Sequence, residues 1–170
     1  KLSRAISQAP DSGQANWAYA LLQEQLGKLE TARKHYEDAL SLEPESSEIR
    51  NSFGAFLCKQ GNTDRAFQLF NTAAANKLYA TPESALTNAG ICAMKQNDLV
   101  KAENYLRQAL DRNSQYASAL FQMATLTFQD GRYLASRGYR QRLESILMSD
   151  DPKVLSLCVR TEQRLNNPVE

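Results

Sequence analysis

Residues 20–39 read ALLQEQLGKLETARKHYEDA, and residues 54–73 read GAFLCKQGNTDRAFQLFNTA. Each stretch contains a glycine that follows a small residue by seven positions and precedes alanines by five and by twelve positions. An aromatic residue lies nine positions after each glycine. The two glycines, Gly27 and Gly61, thus occupy the same place in both stretches, which are copies of one repeating unit.

The same pattern occurs twice more, around Asn97 and around Gly131, so that the four anchor positions are nearly evenly spaced along the chain. Seven positions before the anchors lie Ala20, Gly54, Gly90 and Ala124. Five positions after them lie Ala32, Ala66, Ala102 and Ser136. Nine positions after them lie Tyr36, Phe70, Leu106 and Arg140, of which Arg140 breaks the pattern. A period of about 34 residues with small residues at these places is typical of the tetratricopeptide repeat.

The small residues indicate how each repeat folds. We expect a helix A before the anchor and an antiparallel helix B after it, and the small side chains allow the two helices to approach closely. A glycine at the anchor supplies the positive φ that ends helix A. The sequence therefore predicts an all-α fold, namely a tetratricopeptide (TPR) right-handed superhelical solenoid of antiparallel helix pairs.

We expect residues 1–170 to form a single array of such repeats. The predicted segments are the remnant of a preceding repeat at 1–12, full repeats at 13–46, 47–82, 83–116 and 117–150, and a terminal helix at 151–170. The spacing between Gly61 and Asn97 is longer than the other two because the connection at 75–82 carries two extra residues. This connection is either a longer turn or a landmark of a particular family.

Four of the five prolines lie at the predicted ends of helices. Pro10 and Pro44 are predicted to follow B helices, because proline cannot continue a helix. Pro82 and Pro152 are predicted to lie in the first turn of A helices, behind N-caps at Thr81 and Asp151.

Composition and charge exclude several classes of protein. Hydrophobic residues make up 42% of the chain and charged residues 23%, which is ordinary for a globular domain. The 20 Lys and Arg residues nearly balance the 19 Asp and Glu residues. This balance argues against a protein that binds nucleic acid by neutralising phosphates. No apolar run approaches the roughly 18–20 residues that span a bilayer.

We expect neither a catalytic site nor a bound metal or cofactor. The sole histidine, His35, is predicted to be a solvated residue on the outer side of a helix B. No His, Cys, Asp or Glu cluster has the spacing of metal ligands. Gly27-Lys28 is followed by Leu29 rather than by the Ser or Thr of a phosphate loop. The sequence therefore predicts a non-enzymatic protein.

A surface for binding another protein remains. The A helices of such solenoids line an extended concave groove that accepts a peptide or a helix. Positions thirteen, ten, six, three and two residues before each anchor are expected to face it, and the predicted groove residues are Trp17, Leu21, Glu24, Asn51, Lys59, Thr87, Ile91, Met94, Phe121 and Phe128. Alternatively, several of these side chains pack between neighbouring A helices. The mixed but notably apolar set favours a protein segment over a small charged metabolite.

Three stretches are more specific than the repeat itself. They are NSFGAFLCKQG at residues 51–61, LYATPESALTNAGICA at 78–93 and QDGRYLASRGY at 129–139. These stretches resemble the PilF/PilW family of type IV pilus biogenesis and stability proteins from Gram-negative bacteria. The alternative is a generic cytosolic TPR adaptor, or a co-chaperone-like module of a larger protein.

The resemblance implies a pilotin, a lipoprotein on the periplasmic face of the outer membrane that supports assembly of the secretin pore. It implies a protein partner, either the secretin or another pilus-assembly component. It also implies that the membrane is reached only through a lipid anchor, with the signal peptide and lipidated cysteine upstream of Lys1.

The cysteines carry a further expectation. Cys58 and Cys92 are one repeat period apart, and both lie late in the A helices of adjacent repeats. Side-by-side A helices place such residues near the Cα separation of a disulfide, and a periplasmic location permits the bond. The two-residue insertion shifts Cys92 relative to its anchor, so a pair of buried free thiols is the alternative. Cys158 is expected to stay free.

Overall fold

The computed structural model describes residues 11–146 and 152–166. These residues form nine α-helices and contain no β-strand. The helices are α1 (Gly13–Gln25), α2 (Leu29–Leu42), α3 (Ser47–Lys59), α4 (Thr63–Ala75), α5 (Pro82–Lys95), α6 (Leu99–Arg112), α7 (Ala117–Gln129), α8 (Tyr133–Glu144) and α9 (Pro152–Asn166). Odd-numbered helices correspond to the predicted A helices and even-numbered helices to the B helices. The all-α prediction is confirmed.

The chain divides into two compact units. The N-terminal unit, Lys1–Ala80, contains α1 to α4, and the C-terminal unit, Thr81–Glu170, contains α5 to α9. Residues 1–10 of the predicted helix remnant, with Pro10, and the predicted N-cap Asp151 lie outside the described residues.

The A helix of each full repeat ends in the same hydrogen-bonded turn. After α1, the N–H of Lys28 donates to the carbonyl of Gln23 at 2.9 Å, and the N–H of Gly27 donates to the carbonyl of Glu24 at 3.0 Å. These two bonds define a Schellman motif. The φ angles at the anchors are 71° at Gly27, 81° at Gly61, 59° at Asn97 and 74° at Gly131. The anchor prediction is confirmed even at Asn97, because asparagine tolerates the left-handed region better than most residues.

The three prolines among the described residues lie where the sequence predicts. Pro44 follows the end of α2 by two residues, and Pro82 and Pro152 begin α5 and α9. Thr81 occupies the N-cap position of α5, but its side chain makes no capping hydrogen bond. The start of α5 therefore depends on the fixed φ of Pro82 rather than on the Thr81 hydroxyl.

The close approach of helix A to helix B depends on the small residues. A Cβ placed on Gly54 would lie 2.7 Å from the ring of Phe70, and a Cβ placed on Gly90 would lie 2.7 Å from Cγ of Leu106. Both distances are far below van der Waals contact, so only glycine fits beside these large side chains. The other small positions, Ala20, Ala32, Ala66, Ala102, Ala124 and Ser136, have no exposed surface.

Aromatic side chains form the centre of the N-terminal unit. The ring of Tyr36 stacks on Phe53 at a centroid distance of 5.3 Å and contacts the ring of Phe56 at 5.2 Å. The guanidinium of Arg65 lies 5.0 Å from the Phe53 centroid, and that of Arg33 lies 5.8 Å from the Phe56 centroid. Large buried side chains thus fill the layer that the small residues leave open.

The longer connection after α4 packs against its own repeat. The buried Tyr79 accepts a hydrogen bond through its hydroxyl from Nδ2 of Asn51 at 3.1 Å. Nδ2 of Asn76 donates to the hydroxyl of Ser47 at 2.9 Å. Asn51 is therefore a buried partner of this connection, which corrects its predicted exposure on the groove.

The break in the pattern at Arg140 has a structural role in the C-terminal unit. The side chain of Arg140 is only 9% exposed and forms ion pairs with Glu144 at 2.5 Å and with Glu162 of α9 at 3.0 Å. Arg137 also pairs with Glu162, at 2.5 Å, and this hydrogen bond lowers the pKa of the Glu162 carboxyl. The two arginines attach α9 to α8. Ion pairs between these helices therefore take the place of the large side chain that packs at this position in the other repeats.

His35 is not the solvated residue that the sequence predicts. It is half-buried against α1, where its Nδ1 lies 2.8 Å from Oδ1 of Asn16 and its ring contacts Tyr19 edge-on at 4.7 Å. Nδ2 of Asn16 donates to the carbonyl of Ser12, which leaves Oδ1 to accept from Nδ1–H of His35. Helical phase alone placed the ring outward, but α1 covers it.

We expect His35 to make the stability of the fold fall as the pH drops below 6.5, the ordinary pKa of histidine. Burial lowers the pKa of His35 below its ordinary value of 6.5, with the nearby Lys34 adding to the effect and Asp38 opposing it. The unfolded chain therefore binds the proton first, and the free energy of unfolding falls as pH drops below 6.5. Thermal denaturation at several pH values measures the effect.

His35 is the only histidine of the chain, so no other imidazole contributes to the pH dependence of stability. In a His35→Gln variant, the melting temperature should vary less between pH 5 and 7 than in the unaltered protein. An equal pH dependence in both proteins would contradict the assignment.

Candidate protein-binding faces

No group of three or more His, Cys, Asp or Glu side chains among the described residues is arranged to hold a metal ion. Within 11–146 and 152–166, none of the helices combines the length and the apolar content that crossing a bilayer demands. Three cavities that these residues line are open to solvent, and they are the candidate binding faces.

The face of the N-terminal unit lies on α1 and α3. Leu21, Glu24 and Gln25 of α1 and Lys59 of α3 line a cavity of about 270 Å³, which we call the α1–α3 cavity. Leu21 is 37% exposed, a large fraction for a leucine inside a helix. The structure thus brings together three predicted groove residues, Leu21, Glu24 and Lys59.

The charges of the α1–α3 cavity compensate each other. Glu24 accepts hydrogen bonds from Nζ of Lys59 at 2.6 Å and from the hydroxyl of Tyr36 at 2.8 Å. Burial, together with the hydrogen bond to Glu24, raises the pKa of Tyr36, so its proton stays in place as a donor. Glu24 is held by two donors, and Leu21 is the apolar group left to contact a partner.

Trp17 contributes more to packing than to this face. It is half-buried, and its indole Nε1 is fully buried with no acceptor among the described residues. The indole therefore lies inward at one end of α1, while Leu21 presents the exposed surface. The phase of Trp17 on α1 predicts a groove residue, but helical phase does not indicate how deeply a ring inserts.

The predicted groove residues of the C-terminal unit are divided between interior and surface. Thr87 is buried, and its hydroxyl donates to the carbonyl of Glu83 at 2.7 Å, so it presents no polar group to a ligand. The half-buried residues are Ile91 and Met94 on α5 and Phe121 and Phe128 on α7. Only Phe121 of these lines a described cavity.

That cavity lies between α7 and α9, and we call it the α7–α9 cleft. It has a volume of about 340 Å³ and is lined by Phe121, Thr125, Pro152, Lys153, Ser156, Leu157 and Arg160. Phe128 lies beside it, with its ring 5.4 Å from the ring of Tyr133 and 4.6 Å from the guanidinium of Arg160. The sequence pattern assigned α9 as the next A helix but did not identify its residues as part of a binding face.

A third cavity, of about 450 Å³, lies on the B helices of the same unit. Arg107, Tyr139 and Arg142 are among its lining residues, and both arginines already donate hydrogen bonds within the protein. Arg107 pairs with Glu103 at 2.5 Å, and Arg142 donates to the carbonyl of Ser114 at 2.8 Å. Hydrogen bonds from Arg132 and Arg107 lower the pKa of Glu103, which keeps this network ionised.

Comparisons with known proteins agree with this architecture. One family model of the tetratricopeptide repeat matches residues 13–56, and a second matches residues 87–147. Over 138 residues, 81% of the chain, the sequence is 25% identical to the type IV pilus assembly protein PilF of Pseudomonas aeruginosa. The chain spans about half the length of this relative, 55%.

Two solved structures of pilus proteins are also similar. The crystal structure of PilW, described as a widely conserved type IV pilus biogenesis factor, matches with a TM-score of 0.87 and 28% sequence identity, over 98% of this chain and 76% of that one. The structure of Pseudomonas aeruginosa PilF matches with a TM-score of 0.82 and 22% identity, over 97% and 74% of the two chains. The repeats, the alternating helix pairs and these likenesses together identify the chain as an all-α tetratricopeptide repeat protein homologous to the PilF and PilW proteins of type IV pilus biogenesis.

Proposed function

We propose that this chain is a non-enzymatic scaffold that supports secretin assembly during type IV pilus biogenesis, in the manner of a pilotin. The likeness to PilW over nearly the whole chain carries this proposal. The proposed place of action is the periplasmic face of the outer membrane, with a lipid anchor as the attachment. The proposed partner is the secretin or another component of pilus assembly.

The α1–α3 cavity supports a role in protein binding. The exposed Leu21 offers an apolar contact to a partner. The neighbouring Glu24 and Lys59 neutralise each other, so the partner need not supply a charge to either of them. A side chain of the secretin that packs on Leu21 would remove apolar area from water at about 25 cal/mol per Å². A few such central contacts dominate the affinity of most protein interfaces.

Replacing Leu21 by alanine is expected to weaken binding of the secretin from the same organism by at least about tenfold, or 1.4 kcal/mol. Truncation removes the exposed apolar contact but leaves Glu24, Lys59 and Tyr36 in place, so folding should be retained. Biolayer interferometry with immobilised secretin measures the affinity, and circular dichroism monitors the fold.

Leu29 provides the matched control, because it is 38% exposed against 37% for Leu21 but lies at the start of α2, outside the cavity. Leu29→Ala should bind the secretin within about twofold of the unaltered protein. Equal losses in both variants would show a general effect of surface truncation. Failure of the unaltered protein to bind the secretin would reject the proposed function.

A further inference from the structure

We propose that the α7–α9 cleft binds an acidic protein segment that presents one bulky apolar side chain. This inference rests on the proposed function only in taking the ligand to be a protein. The cleft is a face distinct from the α1–α3 cavity, and its walls and charges indicate the chemistry of the ligand.

The walls of the cleft are largely apolar and are supported from behind. Phe121 packs against the cluster of Leu120, Leu143 and Val154, and Leu157 of α9 is itself buried. The ion pairs of Arg137 and Arg140 with Glu162 attach α9, which forms one wall of the cleft, to α8. A volume of about 340 Å³ between such walls accommodates one large apolar side chain together with the backbone that carries it.

The charged side chains that the described residues contribute to the lining of the cleft are both positive. They belong to Lys153 and Arg160, and no carboxylate of the described residues pairs with Arg160. The acidic residue nearest along α9, Glu162, is occupied by Arg137 and Arg140 and is therefore unavailable to neutralise Arg160. A carboxylate on a ligand would gain a charge-assisted hydrogen bond to the Arg160 guanidinium.

Arg160 is also positioned in advance. Its guanidinium lies 4.6 Å from the Phe128 centroid, and this cation–π contact restricts the side chain without consuming its donors. The α1–α3 cavity differs in this respect, because its Lys59 is already paired with Glu24. Of the two cavities, the α7–α9 cleft therefore carries the charge that selects an acidic ligand.

Fluorescence anisotropy with short labelled peptides tests the inference on the full chain. The probe has one tryptophan between two Glu-Glu pairs, a second peptide carries lysine at the four acidic positions, and a third carries alanine in place of the tryptophan. At about 0.15 M salt, where charges beyond about 8 Å are largely screened, we expect the acidic tryptophan peptide to bind at least about tenfold tighter than either of the others.

Three substitutions at two arginines locate the site. Arg160→Glu should weaken binding of the acidic tryptophan peptide at least about tenfold, which corresponds to 1.4 kcal/mol. Arg164→Glu makes the same charge change one turn later on α9, at an exposed residue that does not line the cleft, and should change binding by less than about twofold. Arg160→Gln, which removes the positive charge but keeps a side chain with N–H donors, should give an intermediate loss, and melting temperatures check that all three variants fold.

Three results would overturn the inference: no binding of the acidic peptide at about 1 mM, equal binding of the lysine peptide, or equal effects of the changes at Arg160 and Arg164. Secretin binding that depends on Leu21 would then still support the proposed function. Conversely, peptide binding that depends on Arg160, without any secretin binding, would support the cleft and reject the proposed function.

Discussion

Replacing Leu106 by alanine is expected to lower the free energy of unfolding by about 2–5 kcal/mol, because the side chain is fully buried between helices. Replacing Gly90 by alanine is expected to lower the free energy of unfolding by about 1–2 kcal/mol. This figure is the cost of overpacking after the gain in helix propensity has been subtracted. The new Cβ would lie 2.7 Å from Cγ of Leu106 and 3.3 Å from the carbonyl oxygen of Ala102. Urea denaturation followed by circular dichroism measures both changes.

The two substitutions should be strongly coupled. Leu106→Ala removes the side-chain atoms that collide with a Cβ at position 90, so Gly90→Ala should cost little or nothing in that background. The same glycine-to-alanine change at Gly138 meets no atom within 4 Å and should raise stability by up to about 1 kcal/mol. The packing explanation would be refuted if the free-energy changes of Gly90→Ala and Leu106→Ala simply added in the double variant. It would also be refuted if Gly138→Ala lowered the free energy of unfolding.

Denatured, unreduced protein is expected to show one reactive thiol, that of Cys158. We propose that Cys58 and Cys92 are bonded to each other, since both are buried, they lie one repeat period apart and Cys158 is free. Closing a loop of this length restricts the unfolded chain and stabilises the fold by about 3–4 kcal/mol. Reduction should therefore lower the melting temperature by many degrees.

Thiol titration under denaturing conditions, with and without prior reduction, measures the bond directly. A Cys158→Ser variant should then show no reactive thiol before reduction, yet lose as much stability on reduction as the unaltered protein. Three reactive thiols in the unreduced protein would mean that Cys58 and Cys92 are buried free thiols.

The fold was predictable because its determinants are local in sequence. A positive φ at Gly27, a small residue at Gly54 and a proline at Pro82 each act within a few residues of a helix end or crossing. Even Asn97 in place of glycine could be assigned, since its phase matched the other anchors.

The exceptions depend on partners that periodicity does not identify. His35 is covered by Asn16 and Tyr19 of the preceding helix, and Asn51 is covered by Tyr79 from a connection whose path the repeat pattern does not define. Arg140 was recognised as a break in the pattern, but its role required the position of Glu162, which lies 22 residues later.

The candidate faces were predictable only in part, for a related reason. The phase of Leu21 and Phe121 on their helices follows from sequence, and both line cavities. A cavity, however, forms from the separation of two helices and from the side chains opposite, as Arg160 illustrates. The helical phase in the sequence predicts which residues of one helix line such a cleft, whereas the residues of the opposite helix are known only from the structure.

The turns between helix A and helix B also bear on how the protein is made. Each of the four turns contains three residues, 26–28, 60–62, 96–98 and 130–132, so a complete helix pair occupies only a short stretch of consecutive chain. Contacts of such short sequence separation form quickly. A chain that emerges amino-terminus first from a ribosome or a translocation channel can therefore close each pair before the next one appears, and its order of emergence becomes its order of folding.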